Sequence, residues 1–288
     1  PPTPRLLSAL SRLHQQPFLS VLSLDQESKS DEIEAAREAI LHYLHETSPE
    51  SQTSTSGGYV FLRIHSLRTP WAAADLLQII GQTGHLLDGV IVPDVVHPED
   101  VQFLDRILTG LEEAQNWEIG RLKIEAMIQR PETARRAEEL AEVSSRTVGL
   151  INALGAHLAT PELGMIILRA THGSGIDMID GTTRPTDDGR ETALSAIRSG
   201  MLGLQRKWAF NPIQLNAIIN PKLYLSEKDM ELAGISREGI RHALSHDPGK
   251  PSLWQGTRIN RQPRTPTDPA MSYAELVEFA RMNTPLLP

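Results

Sequence analysis

Residues 88–114 read DGVIVPDVVHPEDVQFLDRILTGLEEA, and this stretch decides the fold class. Gly89-Val-Ile-Val-Pro93 is almost continuously apolar, the pattern of a strand buried on both faces of a parallel sheet. A helix over Pro98–Ala114 follows, with Pro98 near its first position, where the missing N–H costs nothing. Working outward, the same strand-then-helix unit recurs. Strands are predicted at Pro17–Leu24, Tyr59–Ile64, Leu122–Ile128, Thr147–Ile151, Ile176–Ile179 and Trp208–Phe210. Helices are predicted at Ser28–Thr47, Trp71–Gly81, Glu132–Val143, Leu163–His172 and Glu191–Met201. Such alternation argues for a parallel sheet, either closed into a barrel or doubly wound. No G-x-G-x-x-G opens the first strand–turn–helix, so a dinucleotide fold loses support. Thr171-His-Gly-Ser-Gly175 follows a helix and reads as a cap turn rather than a phosphate cradle.

The chain has 288 residues, 40% of them hydrophobic, which suits one large α/β domain with a sizeable core. Its formal net charge of −8 gives no general attraction to nucleic acid or anionic membrane. With no cysteine, disulfides, thiolate nucleophiles and cysteine-held metals are excluded. The longest apolar stretches are strand-sized, so no membrane span is expected. The opening Pro1-Pro2-Thr3-Pro4 lacks a secretory pattern, and a cytoplasmic protein is the expectation. A barrel domain over residues 1–225 and a C-terminal extension over 226–288 are expected. Gly249–Ala270 of that extension is rich in Pro, Arg and Thr, and a last helix is predicted near Tyr273–Met282.

Several segments, in order, resemble the citrate lyase β-subunit and malyl-CoA lyase group of the HpcH/HpaI aldolase family. Leu22-Ser-Leu-Asp-Gln26, with Ala35-Ala-Arg37 after it, is similar to that family's L-D-L-E-D segment and A-A-R helix. Leu62-Arg-Ile-His-Ser-Leu-Arg-Thr-Pro-Trp71 with Asp75 resembles V-R-V-N-x-L-x-T-P-W…D. Asp88-Gly-Val-Ile-Val-Pro-Asp94 resembles D-G-L-V-L-P-K, and Ala126-Met-Ile-Gln-Arg130 resembles A-L-I-E-T. Ile179-Asp-Gly181 and Lys207-Trp-Ala-Phe-Asn-Pro212 with Gln214 resemble I-D-G and K-W-A-I-H-P-x-Q. The resemblance spans roughly Leu22 to Asn220 and implies a (β/α)8 TIM barrel with a C-terminal helical or irregular arm. It also implies a homo-oligomer, a trimer or hexamer, acting on a small molecule.

The family's chemistry, as the resemblance implies it, uses a divalent metal held by one Glu and one Asp to stabilise an enolate while a carbon–carbon bond breaks or forms. A strand-end arginine neutralises the developing charge. Arg63 matches that arginine. Gln129 stands where the metal glutamate belongs, and Ala156, beside His157, where the metal aspartate belongs. Glu132 is the alternative metal ligand, set against the ordinary role of a first-turn helix acid. Asp25 is the surviving acid of the first segment. Arg63, Gln129 and Asp25 are therefore the catalytic candidates, and His65, Pro93, Asp94, Asn152, Trp208 and Asn211 the substrate-binding ones. Arg130, Arg135 and Arg136 are either anion binders or a solvated helix face. Mg²⁺ and a CoA thioester are the implied cofactor and substrate.

Three functions follow. The first is a carbon–carbon lyase or aldolase-like enzyme on a carboxylate or acyl-CoA substrate, with altered metal dependence. The second is a metal-independent cyclase of a natural-product pathway, working through Gln129, His65 and Asn211. The third is a non-catalytic scaffold homologue.

Overall fold

The structure is a computed structural model, and it describes residues 19–24, 30–46, 59–154, 160–201, 204, 206–219, 221–226, 228 and 229. Asp25, Ala156, His157 and nearly all of the expected C-terminal arm lie outside the described residues. Two compact units are present. One comprises the chain up to Leu150 together with Thr160–Ile176, and the other comprises Ile151–Ala159 with the chain from Asp177 onward.

In the first unit, β1 (Leu19–Ser23), β2 (Tyr59–Arg63), β3 (Gly89–Val92) and β4 (Lys123–Ile128) lie side by side, all parallel, in chain order. β5 (Thr147–Asn152) begins next to β4, where the Ile124 N–H donates to the Arg146 carbonyl at 2.9 Å. Helices connect the strands: α1 (Ser30–Glu46) and α3 (Pro98–Ala114), with a composite α2 between them. Val101, Leu104 and Leu108 give α3 its fully buried stripe. The second connection, predicted to end at Gly81, runs from Ala72 to Leu86, and its middle, Asp75–Ile80, is a wide π-helix.

The predicted helix over Glu132–Val143 is interrupted. It forms α4 (Pro131–Ala134) and α5 (Ala137–Glu142), because the Arg136 N–H bonds back to the Thr133 carbonyl and tightens the turn between them. α6 (Pro161–Ser174) ends as its sequence implies. Gly175 adopts φ 67°, and the N–H groups of Gly175 and Ile176 close on the His172 and Thr171 carbonyls.

Gly89 starts β3 where no side chain fits. A Cβ there would stand 2.6 Å from the Lys123 carbonyl oxygen and 2.4 Å from the Phe61 ring. Because the Lys123 oxygen is backbone, Gly89→Ala is expected to cost about 1–3 kcal/mol of stability, read as a lower urea midpoint.

A polar network holds the N-terminal edge of this sheet. Arg146, almost wholly buried, meets Asp105 through Nε at 2.6 Å and Glu112 through both terminal nitrogens at 2.9 and 2.6 Å. Glu112 also accepts the N–H groups of Gly120 and Leu122. Arg121 caps the end of α2 by donating to the carbonyls of Gly84, His85 and Leu87.

In the second unit, β6 (Asp177–Asp180) pairs parallel with β7 (Arg206–Lys207). The strand predicted at Trp208–Phe210 therefore falls two residues too late. Lys207 faces Asp180, and only the Trp208 N–H extends the pairing, to the Asp180 carbonyl at 2.9 Å. α7 (Gly189–Met201) and α8 (Pro212–Ile219) carry a small core in which Ala193, Ala217 and Leu225 are packed by Leu194, Ile197 and Tyr224. Among the described residues, no helix is long and apolar enough to cross a membrane.

Candidate active site

The strand register places four residues in one row: Ser23, Arg63, Ile91 and Glu125. Because side chains alternate across a strand, these four share a face of the sheet. Arg63 ends β2 and Glu125 is the third residue of β4, so the two lie in one layer, with Arg63 at the C-terminal end where parallel α/β proteins build their sites. Glu125 is fully buried. It sits inside an apolar strand and belongs to none of the motifs quoted above. Only the register shows that it shares a layer with Arg63.

His65 is two residues beyond Arg63, buried, with its ring 5.6 Å from that of Trp71. Its Nδ1 meets Asp75 Oδ2 at 2.7 Å, and its backbone N–H donates to the same oxygen at 2.8 Å. The other Asp75 oxygen accepts from Arg37 Nε at 2.9 Å, and Arg37 also donates to the Trp71 carbonyl. The arginine of the A-A-R helix and the aspartate of the T-P-W…D motif therefore form one buried cluster around His65. Neither Arg37 nor Asp75 was among the site candidates, since 38 residues separate them in the chain.

The β3 and β4 loops meet through Gln129. Its Oε1 accepts the Asp94 N–H at 2.7 Å, which fixes Asp94 at φ 50°, a conformation Asp tolerates better than most residues. The Asp94 carboxylate receives Arg130 through two nitrogens at 2.9 and 2.8 Å. That pairing, with the nearby Glu132, holds the Arg130 guanidinium above its ordinary pKa. Pro93 is buried between β3 and this loop. Relative to the L-P-K…E-T motif, the two loops carry reversed charge: the anion is on the β3 loop and the cation on the β4 loop.

Glu132 occupies the first turn of α4 and is exposed. Arg136 binds Glu139 at 2.7 Å and His97 Nδ1 at 2.9 Å. Arg130 and Arg136 are thus committed to neighbouring side chains.

The remaining candidates belong to the second unit. The Asn152 carbonyl, at the end of β5, accepts the Gly181 N–H at 2.9 Å. The Trp208 ring contacts Phe210 edge-on at 5.9 Å. Asn211 caps α8: its Oδ1 accepts the Gln214 N–H at 3.0 Å, and its backbone carbonyl accepts the Leu215 N–H. The Gln214 amide, fully buried, accepts the Phe210 N–H and donates to the carbonyls of Arg184 and Asp187. Lys207 Nζ lies 2.6 Å from Asp180 and 2.9 Å from Ser195 Oγ. Burial pushes the Asp180 carboxyl up, but Lys207 and hydroxyl donors from Ser199 and Thr182 outweigh it and hold the group below its ordinary pKa.

Gln129, aligned with the glutamate that holds the metal in the motif, is a poor donor for a hard divalent cation. Mg²⁺ wants carboxylate oxygens. The Gln129 carbonyl oxygen is neutral and already receives an N–H, and Asp94 is engaged by Arg130. Among the described residues, no three His, Asp or Glu side chains are grouped to hold an ion.

Parallel strands linked by helices, with an arginine ending a strand, define an α/β protein whose candidate site lies at the C-terminal strand ends. No family model matches the sequence. An L-malyl-CoA/β-methylmalyl-CoA lyase of Cereibacter sphaeroides is 27% identical over 204 residues, covering 59% of this chain and 62% of that protein. A malyl-CoA/β-methylmalyl-CoA/citramalyl-CoA lyase of Chloroflexus aurantiacus is 30% identical over 90 residues, covering 31% and 26%. The first alignment thus spans about three fifths of the curated relative. Among solved structures, a citrate lyase of Burkholderia xenovorans superposes with a TM-score of 0.64 at 16% identity, covering 85% of this chain and 78% of that one. Haloferax volcanii malate synthase, as a magnesium/glyoxylate complex, superposes with a TM-score of 0.61 at 16% identity, covering 78% and 74%. The chain is thus similar in sequence to malyl-CoA lyases and in fold to citrate lyase β-subunit-like and malate synthase structures.

Proposed function

We propose that this protein is a carbon–carbon lyase of the aldolase type, acting on a carboxylate or an acyl-CoA thioester, with altered metal dependence. One observation carries the proposal: Arg63 ends β2 in a shared layer with Ser23, Ile91 and Glu125. A guanidinium there can grip a substrate carboxylate with two parallel hydrogen bonds and stabilise charge as an enolate forms. The malyl-CoA lyases among its relatives make a CoA thioester of a hydroxy acid the substrate to try first. In the same proposal the strands complete a (β/α)8 barrel, residues 226–288 form an arm, and the chain assembles as a homo-oligomer.

The test is cleavage of malyl-CoA and citramalyl-CoA by the full chain, followed as release of the shorter thioester, with Mg²⁺ or with EDTA. Cleavage that EDTA leaves within about twofold is expected, since the Gln129 oxygen is taken by Asp94. Activity that requires Mg²⁺ would overturn the altered metal dependence, and absence of cleavage would overturn the lyase assignment. A second function, a metal-independent cyclase, is favoured by the same neutral Gln129. It would show as EDTA-resistant turnover of a hydrophobic substrate without thioester cleavage.

A further inference from the structure

We propose that His65 is the acid/base group of this site, its free nitrogen presented as a bare lone pair by Asp75. The proposal rests on the lyase reading for its reaction and on the geometry for its atom. Asp75 is ion-paired to Arg37 and can only accept hydrogen bonds, so the 2.7 Å contact requires His65 Nδ1 to carry the proton. In the neutral ring that sets the tautomer, with Nε2 as the bare nitrogen. That Nε2 is buried and has no hydrogen-bond partner among the described residues. Buried polar atoms are nearly always bonded, and an exception at a strand end invites a functional cause. Neutral imidazole held through Nδ1–H by a carboxylate is the arrangement of a general base.

Three features agree with this. His65 follows Arg63 by two residues at the C-terminal end of β2. Asp75 opens the π-helical stretch, and such wide turns concentrate at functional sites. The motif that this segment resembles has an asparagine where His65 stands, and an asparagine cannot take up a proton near neutral pH.

In the cleavage direction, Nε2 removes the proton from the substrate's β-hydroxyl. The oxygen forms a carbonyl as the carbon–carbon bond breaks, and the bonding pair leaves as an enolate. The imidazolium then returns the same proton to the enolate carbon. One O–H and one C–C bond are lost, one C–H and one C=O π bond are gained, and no further reactant is consumed.

The experiment has two arms on the full-length chain. Long-range ¹H–¹⁵N NMR should show His65 with Nδ1 protonated and Nε2 bare. The Nε2 resonance should move on adding oxalate, an enolate mimic, or malyl-CoA. A protonated Nε2, or one that neither compound moves, overturns the proposal whether or not the chain proves to be a lyase. In the second arm, His65→Gln and His65→Asn should lower kcat for cleavage by about 100-fold or more in protein whose circular dichroism shows it to be folded. Retention of kcat within twofold overturns the role of His65 while leaving the lyase assignment standing.

Discussion

Arg146→Leu is expected to lose about 3–5 kcal/mol of stability, because it strands a buried carboxylate. Glu112 is fully buried and takes both terminal nitrogens of Arg146. Urea unfolding followed by circular dichroism measures the loss, and a loss below about 1 kcal/mol would show the pair to be dispensable. A second change, Glu112→Leu, should restore only part of it, since the Gly120 and Leu122 N–H groups lose their acceptor. The same pair predicts an acid dependence. Burial raises the Glu112 pKa, but hydrogen bonds from Arg146, Leu122 and Gly120 lower it further, so its net position is below the ordinary value. A depressed native pKa stabilises above the unfolded value, about 4.3 for Glu, and that contribution drains as the pH falls from there toward the native value. The wild-type midpoint should therefore fall with acidification in this range, and that of Arg146→Leu should fall less.

Arg63→Ala is expected to lower kcat/KM for thioester cleavage by about 10²–10³-fold, the range for removing one donor aimed at developing negative charge. Arg63→Lys should recover little, because an ammonium lacks the planar fork that matches a carboxylate. Circular dichroism of both variants separates a loss of catalysis from a loss of fold. Equal rates for wild type and Arg63→Ala, with intact circular dichroism, would remove Arg63 from the mechanism.

Much of the local architecture could be read directly. The Pro98–Ala114 helix occurs with the bounds its sequence implied, and the strands through Ile128 agree to within two residues. Pro98 at a first turn, and the Asp100 carboxylate accepting the Val96 and His97 N–H groups, act within a few residues. Local patterns express such causes well. Structure departs from local pattern where distant groups intervene. The π-helix carries Asp75 to both Arg37 and His65, and nothing in a helical apolar pattern announces it. β7 sits on Arg206–Lys207 because Lys207 finds Asp180, 27 residues earlier.

Of the site candidates, Arg63 was legible as a strand-end cation, and Glu132 already read as a first-turn helix acid. Asn211 also caps α8 through its side-chain oxygen, a contact that the motif spacing does not announce. Glu125 was invisible until the strands were laid in register.

By itself the sequence determined a parallel α/β chain with a strand-end arginine, and a resemblance to lyases in which Gln129 aligns with their glutamate. Those properties follow from residue type and short-range spacing, which act on the backbone before any distant contact exists. Only the tertiary structure decided what the polar groups do. Gln129 spends its oxygen on a backbone N–H 35 residues away, Arg146 neutralises a glutamate 34 residues away, and Asp75 orients His65. The physical reason is that a buried polar atom is worth what its partners make it worth, and these partners are brought within 3 Å only by the packed sheet.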